Sequence, residues 1–164
     1  MKSQANRNYK SNDIIMTPES LARLLIHHFN PKGKILEPCK GTGSFIKAMK
    51  GYGQIVSILW CEINEGRDFF DFNEKVDWVI TNPPWSKIRK FLQHSMELSN
   101  NVCFLMTINH IWTKARLKDI KSAGFGINEI YLFDTPSNFP QMGFQVGMVH
   151  LKKNYKGDIK FNLN

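Results

Sequence analysis

Short apolar runs alternate with helix-like segments along most of this chain of 164 residues. The apolar runs predict strands at residues 34–37, 55–62, 67–69, 76–81, 101–108, 127–133 and 144–152, and the other segments predict helices at 18–29, 44–50, 87–98 and 114–122. Such alternation implies right-handed crossovers and a mostly parallel sheet with helices on both faces. We therefore predict an α/β fold of about seven strands. The last strand should run antiparallel, because no convincing helix precedes it.

The start of the first helix and the burial of the second strand can also be predicted. Thr17 is the expected N-cap of the first helix, and Pro18 its first helical residue, because threonine and proline favour these two positions. The run at 55–62 is expected to be a buried strand, since nearly all of its residues are apolar.

The size and composition of the chain predict a single domain over residues 1–164, with residues 1–13 as a flexible basic arm. Hydrophobic residues make up 42% of the chain and charged residues 22%, as in ordinary globular proteins. No apolar run approaches the roughly 18 residues of a membrane span, and the polar N-terminus lacks the apolar core of a secretion signal. We expect a cytoplasmic protein that has no membrane partner.

Charge and cysteine content bear on possible partners. The formal net charge is +8, which favours a polyanionic partner such as nucleic acid. The three cysteines, Cys39, Cys61 and Cys103, are odd in number and lack metal-type spacing. They are interpreted as reduced structural thiols, and no metal site is expected.

A glycine turn follows the first predicted strand. The strand ends at Glu37, and Pro38-Cys39-Lys40-Gly41-Thr42-Gly43 leads into the next helix, a backbone arrangement that lets a nucleotide-like ligand approach closely. The spacing matches neither a dinucleotide fingerprint nor a triphosphate-binding loop. A cofactor without phosphate groups is therefore favoured.

Acidic residues follow the next two predicted strands. Glu62 stands where a carboxylate can accept both hydroxyls of a ribose, and Asp68 could accept from an adenine amino group while the Phe69 ring covers the base. Asp71 and Asp77 are alternatives to Asp68. Because ligands bind at the carboxyl ends of parallel strands, one crevice should be lined by Glu37, Glu62, Asp68 and Asn82.

The tetrapeptide Asn82-Pro83-Pro84-Trp85 directly follows the strand at 76–81. The lone pair of an aromatic amine is delocalised into its ring, so a site that uses this nitrogen as a nucleophile must localise the pair. The Asn82 side-chain oxygen and the Pro83 carbonyl could each accept one N–H, held rigidly by the prolines, and Trp85 could stack on the base. No strong base is required, so His27, His28, His94 and His110 are interpreted as structural.

These motifs together resemble the S-adenosylmethionine-dependent amino-methyltransferases, specifically the adenine-N6 DNA methyltransferases whose cofactor motif precedes the catalytic one. The resemblance covers residues 17 to about 153. It implies a Rossmann-like class I methyltransferase fold and S-adenosyl-L-methionine as cofactor. It carries cofactor contacts onto Thr17, Pro18, Glu37, Pro38, Gly41, Gly43, Glu62, Asp68, Phe69 and Asn82, and catalysis onto Asn82, Pro83, Pro84 and Trp85. Lys40 departs from the small residue common in that family.

The resemblance also bears on substrate and partners. An aromatic residue near the last hairpin, Phe139 or Phe144, could contact an extruded base, and Lys87, Arg89 and Lys90 could contact the backbone of the nucleic acid, expected to be DNA. A basic helix with Lys114, Arg116, Lys118 and Lys121 could add to this contact. No segment is long enough for a separate target-recognition domain, so sequence choice would come from loops, from a partner subunit or from nowhere. A homodimer or a separate specificity subunit is the expected protein partner.

Other readings of the sequence stay open. The same tetrapeptide fits methylation of adenine in RNA or of a glutamine amide in protein. A non-catalytic cofactor- and nucleic-acid-binding subunit of a larger methyltransferase assembly is an alternative from another class. A cytosine-5 methyltransferase is rejected because its cysteine nucleophile would be Cys39, which lies inside the glycine turn.

Overall fold

A computed structural model describes residues 14–141 and 143–164, so the predicted arm at 1–13 lies outside the described residues. One mixed sheet of seven strands has the order β2-β1-β3-β4-β6-β5-β7. The strands are β1 Gly33–Glu37, β2 Ile55–Trp60, β3 Val76–Thr81, β4 Ser99–Thr107, β5 Phe125–Leu132, β6 Val146–Lys153 and β7 Lys160–Leu163. The α-helices are α1 Glu19–Phe29, α2 Ser44–Met49, α3 Ile88–Leu98 and α4 Lys114–Ser122.

The direction of the strands follows from their pairing. β1 pairs parallel with β2 and β3, and β3 pairs parallel with β4. β6 lies antiparallel to both β4 and β5, and β7 pairs parallel with β5. The predicted α/β fold with a mostly parallel sheet is therefore confirmed, as is the antiparallel direction of the run that forms β6.

The sheet separates two apolar layers. Side chains of β4 alternate between them, with Phe104 on the face covered by α3 and α4 and Leu105 on the face covered by α1 and α2. Both are almost fully buried, and burial of one such side chain stabilises a fold by roughly 1.5–3 kcal/mol. The two layers fix the sheet, and thereby the edge where the parallel strands end.

Two predictions about strands are wrong, and one strand was missed. The run at 55–62 is not a buried strand, because β2 forms one edge of the sheet and leaves Val56 82% exposed. Residues 67–69 form no strand, because the Asp68 carboxylate accepts from the Phe70 N–H at 3.0 Å and caps the 3-10 turn Phe69–Asp71. The seventh strand is instead β7, which the sequence pattern did not predict.

The start of α1 also differs from the prediction. The N-cap is Pro18 rather than Thr17, and no side chain caps this helix end. The Thr17 hydroxyl accepts instead from the Asn82 side-chain amide at 3.3 Å. This contact joins the entry of α1 to the end of β3, so Thr17 lies next to the predicted crevice.

Candidate active site at the carboxyl edge of the sheet

A cleft of about 560 Å³ opens where β1, β2 and β3 end. Its volume lies in the range of small-molecule and cofactor sites. Eight of the predicted site residues line it, namely Pro38, Gly41, Glu62, Asp68, Phe69, Asn82, Pro84 and Lys87. The topology thus brings residues that are up to 49 positions apart in sequence to one crevice.

The glycine turn after β1 forms one wall. Gly41 and Gly43 adopt φ angles of 51° and 80°, in the left-handed region that glycine adopts without strain. A Cβ atom on Gly41 would lie 2.9 Å from the Met16 sulfur. The turn therefore accommodates the Met16 side chain, which would have to shift if residue 41 carried a Cβ atom.

The Glu62 carboxylate holds this turn in place. Its Oε2 accepts from the Gly41 N–H at 2.9 Å, and its Oε1 accepts from the Asn64 N–H at 3.1 Å. Each carboxylate oxygen has a second lone pair. Glu62 can therefore brace the cleft wall and still accept hydrogen bonds from a ligand.

Glu37 lies beneath the turn and is only 1% exposed. Its Oε1 accepts from the Cys39 N–H at 2.9 Å. Burial raises the pKa of the Glu37 carboxyl to about 8. Glu37 is thus a buried group that supports the turn from below, and a positive charge placed near it would favour its ionised form.

The Asp68–Phe69 pair forms another part of the cleft wall. Phe69 is 2% exposed, and its ring stacks on Phe91 with centroids 5.0 Å apart. Phe70 also lines the cleft and is 39% exposed. The aromatic surface at this wall is therefore a cluster, in which Phe70 is the more exposed ring and Phe69 is buried.

Asn82 has an amide whose orientation is fixed by its partners. The side-chain nitrogen donates to the Ile15 carbonyl at 2.9 Å and to the Thr17 hydroxyl at 3.3 Å. A backbone carbonyl can only accept, so the nitrogen must face Ile15 and the oxygen must face the other way. Asn82 therefore presents a pre-oriented acceptor at the wall of the cleft.

The rest of the tetrapeptide has a different environment. Pro83 is buried and Pro84 lines the cleft. The Trp85 indole N–H donates to the Leu105 carbonyl at 3.3 Å, and its ring lies 6.2 Å from that of Phe139. Part of the Trp85 side chain is exposed to solvent, although the residue does not line the 560 Å³ cleft.

The two candidate aromatic residues near the last hairpin differ sharply. Phe139 is 2% exposed and packs in the core, whereas Phe144 is 53% exposed and lines a shallow cavity of about 290 Å³ with Pro140 and Gln145. The three basic residues after the tetrapeptide are all exposed, namely Lys87, Arg89 and Lys90. Arg89, however, already forms an ion pair with Asp119.

Several site residues were not predicted from the sequence. Ile14, Ile15 and Met16 cover the cleft, and the Asn138 side chain donates to the Met16 carbonyl at 2.7 Å. Ile63, Asn64 and Glu65 also line the cleft. The apolar triplet before Thr17 is the one signal in the sequence that could have indicated an element packed over the site.

Two histidines are held by contacts within the fold, and one cysteine is disfavoured as a nucleophile. Burial raises the pKa of the Cys39 thiol well above its ordinary value, which disfavours the nucleophilic thiolate. The His94 ring contacts the Phe72 carbonyl at 2.9 Å, and His28 pairs with Glu129. Within residues 14–141 and 143–164, no group of three or more His, Cys, Asp or Glu side chains could hold a metal ion.

No protein-family model matches the chain, and no curated protein matches it. Its fold is similar to that of a proposed RNA methyltransferase from Pyrococcus horikoshii, at 20% identity over 85% of this chain and 86% of that one, with a TM-score of 0.63. It is also similar to that of a proposed class I S-adenosylmethionine-dependent methyltransferase from Listeria monocytogenes. That protein is 14% identical over 90% of this chain and 65% of its own, with a TM-score of 0.68. The modification subunit of a proposed type I restriction enzyme from Vibrio vulnificus YJ016 is 15% identical over 94% of this chain and 48% of its own, with a TM-score of 0.66.

These similarities are similarities of fold, and they confirm the predicted Rossmann-like methyltransferase architecture. The chain spans less than two thirds of the Listeria protein and about half of the Vibrio subunit. In the part of the chain that the structure describes, no helix is long and apolar enough to cross a membrane.

Proposed function

We propose that this chain transfers the methyl group of S-adenosylmethionine to the N6 amino group of adenine in DNA. The observation that carries the proposal is the fixed Asn82 amide. Its oxygen is an acceptor at the wall of a cofactor-sized cleft, and the glycine turn braced by Glu62 forms another wall of the same cleft.

The charge of the cleft suits a cationic, phosphate-free ligand. Glu62, Glu65 and Asp68 all line it, and carboxylates repel phosphates while they attract a sulfonium and an ammonium group. Lys40, the residue that departs from the family pattern, pairs with Glu65 and not with the other two carboxylates. Glu62 and Asp68 therefore have no cationic partner among the described residues. The similar Listeria protein is named as dependent on S-adenosylmethionine.

The chemistry requires a donor of an activated methyl group, which the sulfonium of S-adenosylmethionine supplies. The chain has to position an aromatic amine and localise its lone pair. Asn82 can do this by accepting one N–H of the amine, and Pro83 and Pro84 keep that acceptor rigid. Pre-oriented acceptors need no reorganisation during the reaction, and proximity supplies much of the remaining rate.

Adenine in a polynucleotide is the proposed substrate because the chain carries a net charge of +8. The Vibrio protein is named as a modification subunit of a restriction enzyme, which supports DNA. The Pyrococcus protein is named as an RNA methyltransferase and matches over most of its own length, so adenine in RNA is the second candidate.

The test is methyl transfer from labelled S-adenosylmethionine to DNA, RNA and a glutamine-containing peptide, with mass spectrometry of the products. We expect N6-methyladenine from DNA. Asn82→Ala should lower the rate by about 100-fold to 1,000-fold, the usual cost of removing one pre-oriented polar group from an active site. Methylation of RNA or peptide alone, or of another atom of adenine, would contradict the proposed substrate.

Asn138→Ala is the matched control. Asn138 also donates from its side-chain amide to the segment before α1, but its amide is not part of the cleft wall. We expect this variant to keep most of the transfer rate. If both variants lost activity equally, Asn82 would act by tethering the segment and not as an acceptor for the amine.

A further inference from the structure

Arg116 carries a donor that nothing in the described part of the chain satisfies. Its Nε is shielded from solvent and has no hydrogen-bond partner among residues 14–141 and 143–164. Buried polar groups are nearly always hydrogen-bonded, so each exception calls for an explanation. Arg116 lies in the first turn of α4, where its backbone N–H donates to the Thr113 hydroxyl at 3.3 Å.

The nearest carboxylate is already taken. Arg89 binds Asp119 through two parallel bonds, from Nε to Oδ2 at 2.7 Å and from Nη2 to Oδ1 at 3.0 Å. Arg116 forms no ion pair among the described residues. Two guanidinium groups therefore share the neighbourhood of one carboxylate, which leaves an excess positive charge between α3 and α4.

The electrostatic environment agrees with this description. Burial, followed by the positive charge of Arg89, lowers the pKa of the Arg116 guanidinium below its ordinary value. Asp119 opposes this only in part. The Nε is shielded, so a solvent-borne anion would bind the terminal guanidinium nitrogens of Arg116, which are not among the buried unpartnered atoms of the described residues, and would relieve the repulsion between the two arginines.

The position of this cluster points to the substrate. α3 follows the tetrapeptide after β3, and α4 follows β4, so both helices begin at the carboxyl edge of the sheet. His110 precedes α4, and its ring centroid lies 6.4 Å from that of Trp85. Both Arg89 and Arg116 lie in the first turns of their helices, and the cluster therefore lies at the same edge of the sheet as the tetrapeptide.

We propose that Arg116 binds a backbone phosphodiester of the nucleic acid whose adenine reaches Asn82, and that Arg89 is held by Asp119 as the second positive charge of this site. The inference deepens the proposed function and rests on it. It assigns the phosphate contact to one half-buried arginine and not to the exposed lysines of α4. A guanidinium matches the geometry of phosphate oxygens better than an ammonium does.

The test compares Arg116→Gln with Lys121→Gln, which removes the same charge from the other end of the same helix. Affinity for single-stranded oligothymidylate and for an oligonucleotide with adenine is measured over a series of salt concentrations. We expect Arg116→Gln to bind about tenfold more weakly, as for loss of one charge-assisted hydrogen bond. The salt slope should fall by about 0.7, the value for one phosphate contact to a single strand. Lys121→Gln should keep the wild-type slope.

Two further readouts separate a binding role from a structural one. Arg116→Gln should leave the thermal unfolding midpoint unchanged or raise it, because no ion pair is lost and the repulsion with Arg89 is relieved. Arg116→Lys should recover part of the affinity. Equal salt slopes for Arg116→Gln and Lys121→Gln, or absence of any nucleic-acid binding by the wild type, would overturn the assignment.

Oligothymidylate keeps this test independent of methyl transfer, because it carries phosphates but no adenine. An affinity loss specific to Arg116 together with no methylation of adenine would refute the proposed function and retain the phosphate site. Methylation of adenine together with an unchanged salt slope in Arg116→Gln would support the proposed function and refute the phosphate site.

Discussion

The carboxyl edge of the sheet has two sides that differ in how their polar groups are satisfied. The glycine-turn side consists of residues 14–17, 37–43, 62–70 and 82, and its turns are joined by hydrogen bonds such as those from Gly41 to Glu62 and from Asn82 to Ile15. The loop side consists of residues 108–119, 133–141 and 143–145. It exposes 42% of Trp112 and 53% of Phe144, and it holds the unsatisfied Nε of Arg116.

This difference indicates which side is complete by itself. Hydrogen bonds within the glycine-turn side fix the cleft before any ligand binds, which lowers the cost of binding a small rigid ligand. Exposed aromatic rings and an unsatisfied cation on the loop side are groups that a large anionic ligand with flat bases would cover. The first side is suited to a small molecule and the second to a polymer.

The comparison is sharpest on the loop side at Phe139 and Phe144. Phe139→Ala should lower the free energy of unfolding by about 3–5 kcal/mol, because it empties a buried site. Phe144→Ala should change it by less than about 0.5 kcal/mol but weaken nucleic-acid binding by about 1–3 kcal/mol, the contribution of one stacked base. Chemical denaturation and oligonucleotide titration measure the two effects. Unchanged oligonucleotide affinity in Phe144→Ala would remove Phe144 from the binding surface.

On the glycine-turn side, Glu37 should make stability depend on pH. The folded-state pKa is about 8 and the ordinary value is 4.5, so between these values the folded chain keeps a proton that the unfolded chain has lost. The contribution of this group is complete below pH 4.5 and is lost as the pH rises through 8. Each pKa unit corresponds to about 1.4 kcal/mol, so a loss of a few kcal/mol is expected.

Glu37→Gln tests this linkage, since glutamine cannot ionise. Denaturation curves between pH 4.5 and 8.5 should show the variant gaining stability relative to the wild type as the pH rises. A difference between the two proteins that stays constant with pH would mean that Glu37 keeps its ordinary pKa in the folded chain.

The smallest expected effect comes from replacing one glycine on each side by alanine. Gly41→Ala and Gly143→Ala both place a side chain at a positive φ, of 51° and 71°, which costs about 1–2 kcal/mol. Only at Gly41 does the new Cβ meet another group, the Met16 sulfur at 2.9 Å, whereas no atom lies within 4 Å of a Cβ at Gly143. Calorimetry should therefore find weaker S-adenosylmethionine binding in Gly41→Ala alone. Equal loss in both variants would mean that Met16 does not shape the cleft.

Elements with a strong local pattern could be predicted from the sequence. Residues 76–81 and 114–122 form β3 and α4 with the predicted bounds, because apolar periodicity and the Thr113 cap determine them locally. β7 was missed because its residues, KFNL, alternate between polar and apolar over only four positions, the shortest run that can indicate a strand, and the strand arises from pairing with β5. Residues 67–69 looked extended, but the Asp68 side chain hydrogen-bonds its own backbone and forms a turn.

The candidate site divides in the same way. Gly41, Glu62 and Asn82 follow β1, β2 and β3, so the topology of a parallel sheet was sufficient to bring them together. Asp68 lines the same cleft from a 3-10 turn and not from the predicted strand end. The contact between Met16 and Asn138 joins residues 122 positions apart, and no local pattern encodes it. The same holds for the ion pair of Arg89 with Asp119. It distinguishes Arg89 from Lys87 and Lys90, which form no ion pair with another described residue.

The segment before α1 is bonded to both sides of the edge, through the Ile15 carbonyl to Asn82 and through the Met16 carbonyl to Asn138. Thermodynamic linkage gives this arrangement a consequence. If a ligand in the cleft shifts the segment and thereby changes the affinity of the loop side by some factor, a ligand on the loop side must change the affinity of the cleft by the same factor. Four residues at the entry of one helix could thus couple two binding equilibria.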